Sequence, residues 1–138
     1  MVDAAAVEQL LKADNRPFER IDPATWRSSF HAESNSFRFF VRLTESWIFF
    51  TIVPFVRAPE SQPCAHRLHA KLLRLNREIN MAKFAIDEDG DVVLTVELPT
   101  ENLDASEFRD ALDALCFYAD RHYVELARIA QEIGRAHV

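Results

Sequence analysis

Glycine is almost missing from this chain: two residues among 138, Gly90 and Gly134. That leaves little room for glycine-rich phosphate loops, which need backbone approaches that a Cβ would block. Cysteine is equally scarce. Cys64 and Cys116 form no paired motif, which favours reduced thiols and a cytoplasmic setting. No basic run marks a nucleic-acid or membrane patch, and a formal net charge of −6 opposes the phosphate backbone. The longest apolar stretch, Trp47 to Val56, contains Thr51 and Pro54 and is far too short to cross a bilayer. Met1-Val2-Asp3-Ala4 has neither the basic start nor the apolar core of a signal peptide. The expectation is a cytoplasmic protein with no nucleic-acid or membrane partner.

What the chain does have is aromatic bulk. Hydrophobic residues make up 49% and eleven are Phe, a side chain that buries much area while losing little rotamer entropy. A chain of this length buries roughly two-thirds of its unfolded surface and needs no metal or disulfide staple. One domain spanning residues 1–138 is expected.

Asp3 to Ala13 reads as a helix with Val7, Leu10 and Leu11 on its apolar stripe, stopped at Asn15-Arg16-Pro17. Asp22-Pro23 interrupts the next segment, so its strand is placed at about Trp26 to His31. Phe37, Phe39, Val41 and Leu43 alternate with Arg38, Phe40 and Arg42 in a strand with one buried face. Trp47 to Phe55 is apolar on both faces, as a central strand would be. A proline-rich loop from Pro54 to Pro63 leads into a helix from about Cys64 to Met81, with Leu68, Leu72, Leu75 and Ile79 at helical spacing. Asp89-Gly90 between two apolar alternations predicts a hairpin. Asp104 and Glu107 form a capping box for a last helix, whose stripe is Phe108, Leu112, Leu115, Ala119, Tyr123, Leu126 and Ile133. Phe117 and Val124 lie off that stripe. The order α-β-β-β-α-β-β-α predicts an α+β fold with one antiparallel five-stranded sheet and three helices.

The second half resembles the YbjN family of sensory-transduction regulators, which is related in structure to type III secretion chaperones. The resemblance rests on Leu75-Asn76-Arg77-Glu78-Ile79-Asn80, on Phe84, and on the acidic turn Asp87-Glu88-Asp89-Gly90-Asp91. It continues through Val92-Val93-Leu94, Glu97-Leu98-Pro99 and Ala119-Asp120-Arg121-His122-Tyr123, covering about residues 66 to 126. It implies a secretion-chaperone-like fold and a dimeric protein that binds other polypeptides. It carries no catalytic residues over.

Each chemical motif has a simpler structural account. Cys64-x-His66-x-x-His69 offers zinc-binding side chains but no fourth ligand. Asp87, Asp89 and Asp91 suggest a calcium loop, yet Gly90 stands fourth and Leu98 twelfth where an EF-hand needs a sixth-position glycine and a twelfth-position glutamate. Asp120 and His122 are two apart on a helix and cannot pair there, which leaves His122 without an orienting carboxylate. Ser28, Ser29, Ser34 and Ser36 sit in no strand-to-helix elbow. No metal and no cofactor is expected. Asn76 and Asn80 interrupt a helix they weaken, so their amides are expected to bond the sheet edge or a partner, or, for Asn80, to end the helix in a left-handed conformation.

The surplus of aromatic residues is the functional lead. Helices on one face of the sheet would leave Phe40, Phe50 and Ile52 on the other, and the last helix would offer Phe117, Arg121 and Val124. These six are the candidate interface residues of a non-enzymatic protein-binding module, chaperone- or regulator-like, that pairs with itself and with an unknown protein. The alternative is a small-molecule sensor whose apolar pocket is lined by Trp26 and Trp47.

Overall fold

The computed structural model describes residues 2–132. Its elements are α1 (Ala4–Ala13), β1 (Glu19–Asp22), β2 (Thr25–His31), β3 (Ser36–Leu43), β4 (Trp47–Val56), α2 (Gln62–Glu78), β5 (Ala82–Ile86), β6 (Val92–Pro99) and α3 (Ala105–Gln131). The sheet has six antiparallel strands in the order β1-β2-β3-β4-β6-β5. The expected count of five is therefore corrected to six. The added strand is β1, and Asp22-Pro23 ends it by turning a hairpin into β2. Asp22 pairs with Thr25, and its carboxylate accepts the Ala24 N–H at 2.9 Å. All four β1 side chains are exposed, so no hydrophobic alternation announces the strand.

The helices start and stop for local reasons. Asp3 accepts the Ala6 N–H and caps α1, while Ser61 accepts the Cys64 N–H and caps α2. Pro63 falls in the first turn of α2, where its missing N–H would have had no helical partner. The Asp104–Glu107 capping box of α3 is present as the spacing predicts. The left-handed residue after α2 is Met81, with φ 66°, rather than Asn80. Gly90 closes the β5–β6 turn at φ 82°, and an added Cβ would lie 3.3 Å from that of Ala58.

One face of the sheet carries the core. Trp26 and Phe30 on β2, Phe37, Phe39 and Val41 on β3, and Ile48, Phe50 and Ile52 on β4 are buried. Phe84 on β5 and Val92, Leu94 and Val96 on β6 join them. Trp26 Nε1 donates to Glu8 of α1 at 2.8 Å, and Phe50 meets Phe108 of α3 edge-on at 5.1 Å. Phe108, Leu112, Leu115, Ala119 and Leu126 of the predicted α3 stripe are buried and Tyr123 is half-buried; Ile133 lies outside the described residues.

Asn76 repays its poor helix propensity. Its Nδ2 donates to the Phe84 carbonyl at 2.9 Å, and its Oδ1 accepts the Phe84 N–H at 2.7 Å. One side chain thus satisfies both backbone groups of an edge-strand residue, as the sequence reading allowed. Removing it leaves two half-buried groups unpaired, so Asn76→Ala is expected to cost about 1–3 kcal/mol in urea unfolding. Phe50→Ala, at a fully buried site, is expected to cost about 3–5 kcal/mol. A loss below about 1 kcal/mol for Phe50→Ala would contradict its place in the core.

Candidate interaction surface

Register decides which aromatic residues remain available. Val41 lies opposite Phe50, and Phe40 opposite Thr51. Because successive side chains alternate between faces, Phe40 and Phe50 point to opposite sides of the sheet. Phe50 and Ile52 are 0% and 3% exposed, on the helix-covered face. Their expected place on the uncovered face is corrected, and only Phe40, half-buried, belongs there. Its neighbours on that face are Arg27 and Thr51 on the adjoining strands, with Arg38 and Arg42 two residues away along β3.

The uncovered face is an aromatic–arginine surface. Arg42 lies 4.5 Å over the ring of Phe49, a cation–π contact that shields part of the ring. Arg27 pairs with Glu19 at 2.9 Å, Lys83 pairs with Glu97, and Thr51 bonds Thr95 at 2.9 Å. Trp47 stands at the margin, 44% exposed.

On α3 the three remaining candidates do come together. Phe117 and Val124 are 58% and 51% exposed, and Arg121 between them is exposed as well. Spacings of four and three residues put all three on one helix face. Arg121 makes no ion pair among the described residues.

The polar clusters are held by structural bonds. Asp120 accepts the Ser34 N–H at 2.9 Å, tying α3 to the β2–β3 turn. The His122 ring stacks on Tyr118 at 6.2 Å and meets the edge of Phe84 at 6.0 Å. Its burial was not legible, because His122 sits in a polar run. Cys64 is buried and its thiol donates to the Glu132 carbonyl at 2.8 Å, while His66 is exposed. Asp87, Asp89 and Asp91 form the one group of three clustered metal-capable side chains among the described residues, with carboxylate oxygens within 4.8 Å of one another. Asp87 accepts the N–H groups of Asp89 and Asp91, and Asp91 accepts that of Ala58 at 2.7 Å. The Asp87 and Asp91 carboxylates are thus engaged in organising the turn. Burial pushes the Cys116 thiol up to about 11 despite the nearby Arg16, so it stays protonated and weakly nucleophilic at neutral pH. Trp26 and Trp47 line no common pocket: Trp26 is sealed in the core and Trp47 faces solvent.

A groove of about 510 Å³ opens between one end of β3 and β4 and the last turns of α3. Its lining includes Phe37, Phe55 and Tyr123, together with Arg38 and Arg57. The three rings are mutual neighbours, at 5.3 to 5.6 Å between centroids. The sequence reading missed this cluster, which joins residues far apart in the chain.

Desolvation, and then the neighbouring Arg121, hold the His122 imidazole below its ordinary value. The unfolded chain therefore binds a proton at higher pH than the folded one does. Stability is full above the unfolded value near 6.5 and declines as pH falls through the lower folded value. Melting temperature is expected to drop between pH 7 and pH 5 in the wild type and to drop less in His122→Gln. Equal slopes would show that another group governs the loss.

The comparisons with known proteins agree with this architecture. One chain of the heterodimeric ExoU–SpcU complex from the type III secretion system of Pseudomonas aeruginosa superposes with a TM-score of 0.63 at 20% identity, covering 91% of this chain and 98% of that one. YbjN of E. coli, described as a putative transcription regulator, gives 0.63 at 13% identity, over 90% and 93%. A chain of the complex between the Yersinia pestis type III secretion chaperone SycH and a fragment of YscM2 gives 0.54 at 13% identity, over 84% and 95%. No curated protein matches the chain in sequence. The fold is thus the α+β arrangement these chaperone-like structures share, and a family model described as "Putative bacterial sensory transduction regulator" matches residues 3–128: the chain belongs to the YbjN family.

Proposed function

We propose that this protein is a non-catalytic binding module for other polypeptides and that it acts as a homodimer. The observation that carries the reading is the exposed Phe117–Arg121–Val124 face of α3. Two large apolar side chains, each more than half exposed on one helix face, hold water at a cost that a partner surface removes. An arginine between two apolar anchors is a common composition for the centre of an interface. Similarity to chains found in complexes with polypeptide partners supports the same reading. Recognition would use helix packing on α3, or strand addition at β1, whose outer edge is unpaired within the sheet. The two free thiols fit a reducing, cytoplasmic setting.

Light scattering on the purified protein tests this. A dimer is expected, and the double substitution Phe117→Asp with Val124→Asp is expected to weaken self-association at least tenfold. Melting temperature should change by only a few degrees, because both positions lie outside the core. A wild type that stays monomeric at every concentration would remove the homodimer.

A further inference from the structure

We infer that the groove between β3, β4 and α3 docks a short acidic segment of a partner polypeptide, with an apolar side chain on the Phe37–Phe55–Tyr123 cluster and carboxylates against Arg38 and Arg57. This rests on the reading of the chain as a polypeptide binder.

The groove follows from how the sheet comes apart. The β3–β4 ladder runs from Leu43–Ile48 to Phe40–Thr51 and stops, although β3 reaches back to Ser36 and β4 runs on to Val56. β4 also loses register with β6 between Ile52 and Val56, where Pro54 has no N–H to give to a neighbouring strand. α3 lines the opening from Tyr123 to Gln131, a rise of about 12 Å. That length matches three to four extended residues at about 3.3 Å each. Pairing alternates along β3: Leu43 donates to Ala24 on the β2 side and Thr44 to Trp47 on the β4 side. The same alternation turns the backbone N–H and C=O of Arg38 toward β4, one rung beyond the end of the ladder. An open strand edge beside an apolar floor suits a peptide backbone better than a compact small molecule.

Charge selects the sequence of that peptide. The chain carries a net charge of −6, yet the two charged residues lining the groove are both arginines. Both are exposed and neither forms an ion pair among the described residues. A concave site whose charges oppose the protein's overall sign attracts carboxylates and repels cations. The guanidinium fork then gives each carboxylate two parallel hydrogen bonds.

The test titrates the ¹⁵N-labelled full chain with the peptide acetyl-Glu-Asp-Phe-Glu-Asp-amide and with its counterpart carrying Lys at all four acidic positions. Amide shifts concentrated at Arg38, Val53, Arg57 and Tyr123 are expected with the acidic peptide only. Arg38→Glu with Arg57→Glu, both at the surface, should weaken the acidic peptide at least tenfold and admit the lysine peptide, with the melting temperature nearly unchanged. Equal affinity for both peptides, unchanged affinity in the charge-reversed variant, or no shifts at all would overturn the inference. Shifts confined to the neighbourhood of Phe117 and Val124 would overturn the groove while leaving the polypeptide-binding reading in place. Binding of 3-phenylpropionate in the groove without binding of the peptide would overturn the peptide as its occupant.

Discussion

Val41 opposite Phe50 is the pairing on which the rest of the molecule depends. It fixes the phase of the two central strands, and the side-chain period of two then assigns every residue of both to a face. Phe37, Phe39, Ile48 and Ile52 follow into the core, and Phe40, Phe49 and Thr51 follow out of it. Slipping that pairing by one residue would either drive Arg38 and Arg42 beneath the helices or bring Phe50 into water. Desolvating two unpaired guanidinium groups would cost far more than any contact a slipped register could regain. The arginines of β3 therefore specify the register as firmly as its phenylalanines do.

The helices build on that assignment. α3 contributes Phe108, Leu115, Ala119 and Leu126 to the helix-side core and keeps Phe117 and Val124 outside it. α1 is tied to β2 by the Trp26–Glu8 bond, which lets a fully buried indole keep its donor satisfied. α2 reaches the sheet through the Asn76 amide on β5. The polar groups carried into the interior thus serve as joints between layers.

Features specified within a few residues were legible in the sequence. The Asp104–Glu107 capping box, the Asp89-Gly90 turn and the stripe from Phe108 to Leu126 follow from local spacing, and the structure has all three. Asn76 was legible as an anomaly, since a weak helix former in an amphipathic helix needs a bonding reason. The phase of β4 was not. Ile48, Phe49, Phe50 and Ile52 are apolar on both faces, so alternation says nothing about which set is buried. The strand β1 was hidden by its four exposed side chains, since its partner is chosen by the Asp22-Pro23 turn. The approach of Arg38 and Arg57 to one groove was also beyond reach, because it depends on where the β3–β4 ladder ends. Four of the six candidate surface residues remain available, the α3 trio and Phe40, and Phe50 and Ile52 do not.

Asn76 has one more consequence. On the outer edge of β5, Phe84 gives both backbone groups to the Asn76 amide, and the Ala82 N–H bonds the Asn80 carbonyl at 2.7 Å. The sheet therefore ends at β5 in the way a capped polymer ends, while β1 at the other margin can still accept a strand. A sheet with one sealed edge can join a second copy edge to edge through β1, and the product then presents a sealed β5 on both sides. Any growth by strand pairing would then stop at two copies, so the same asparagine that anchors α2 would also keep such association finite.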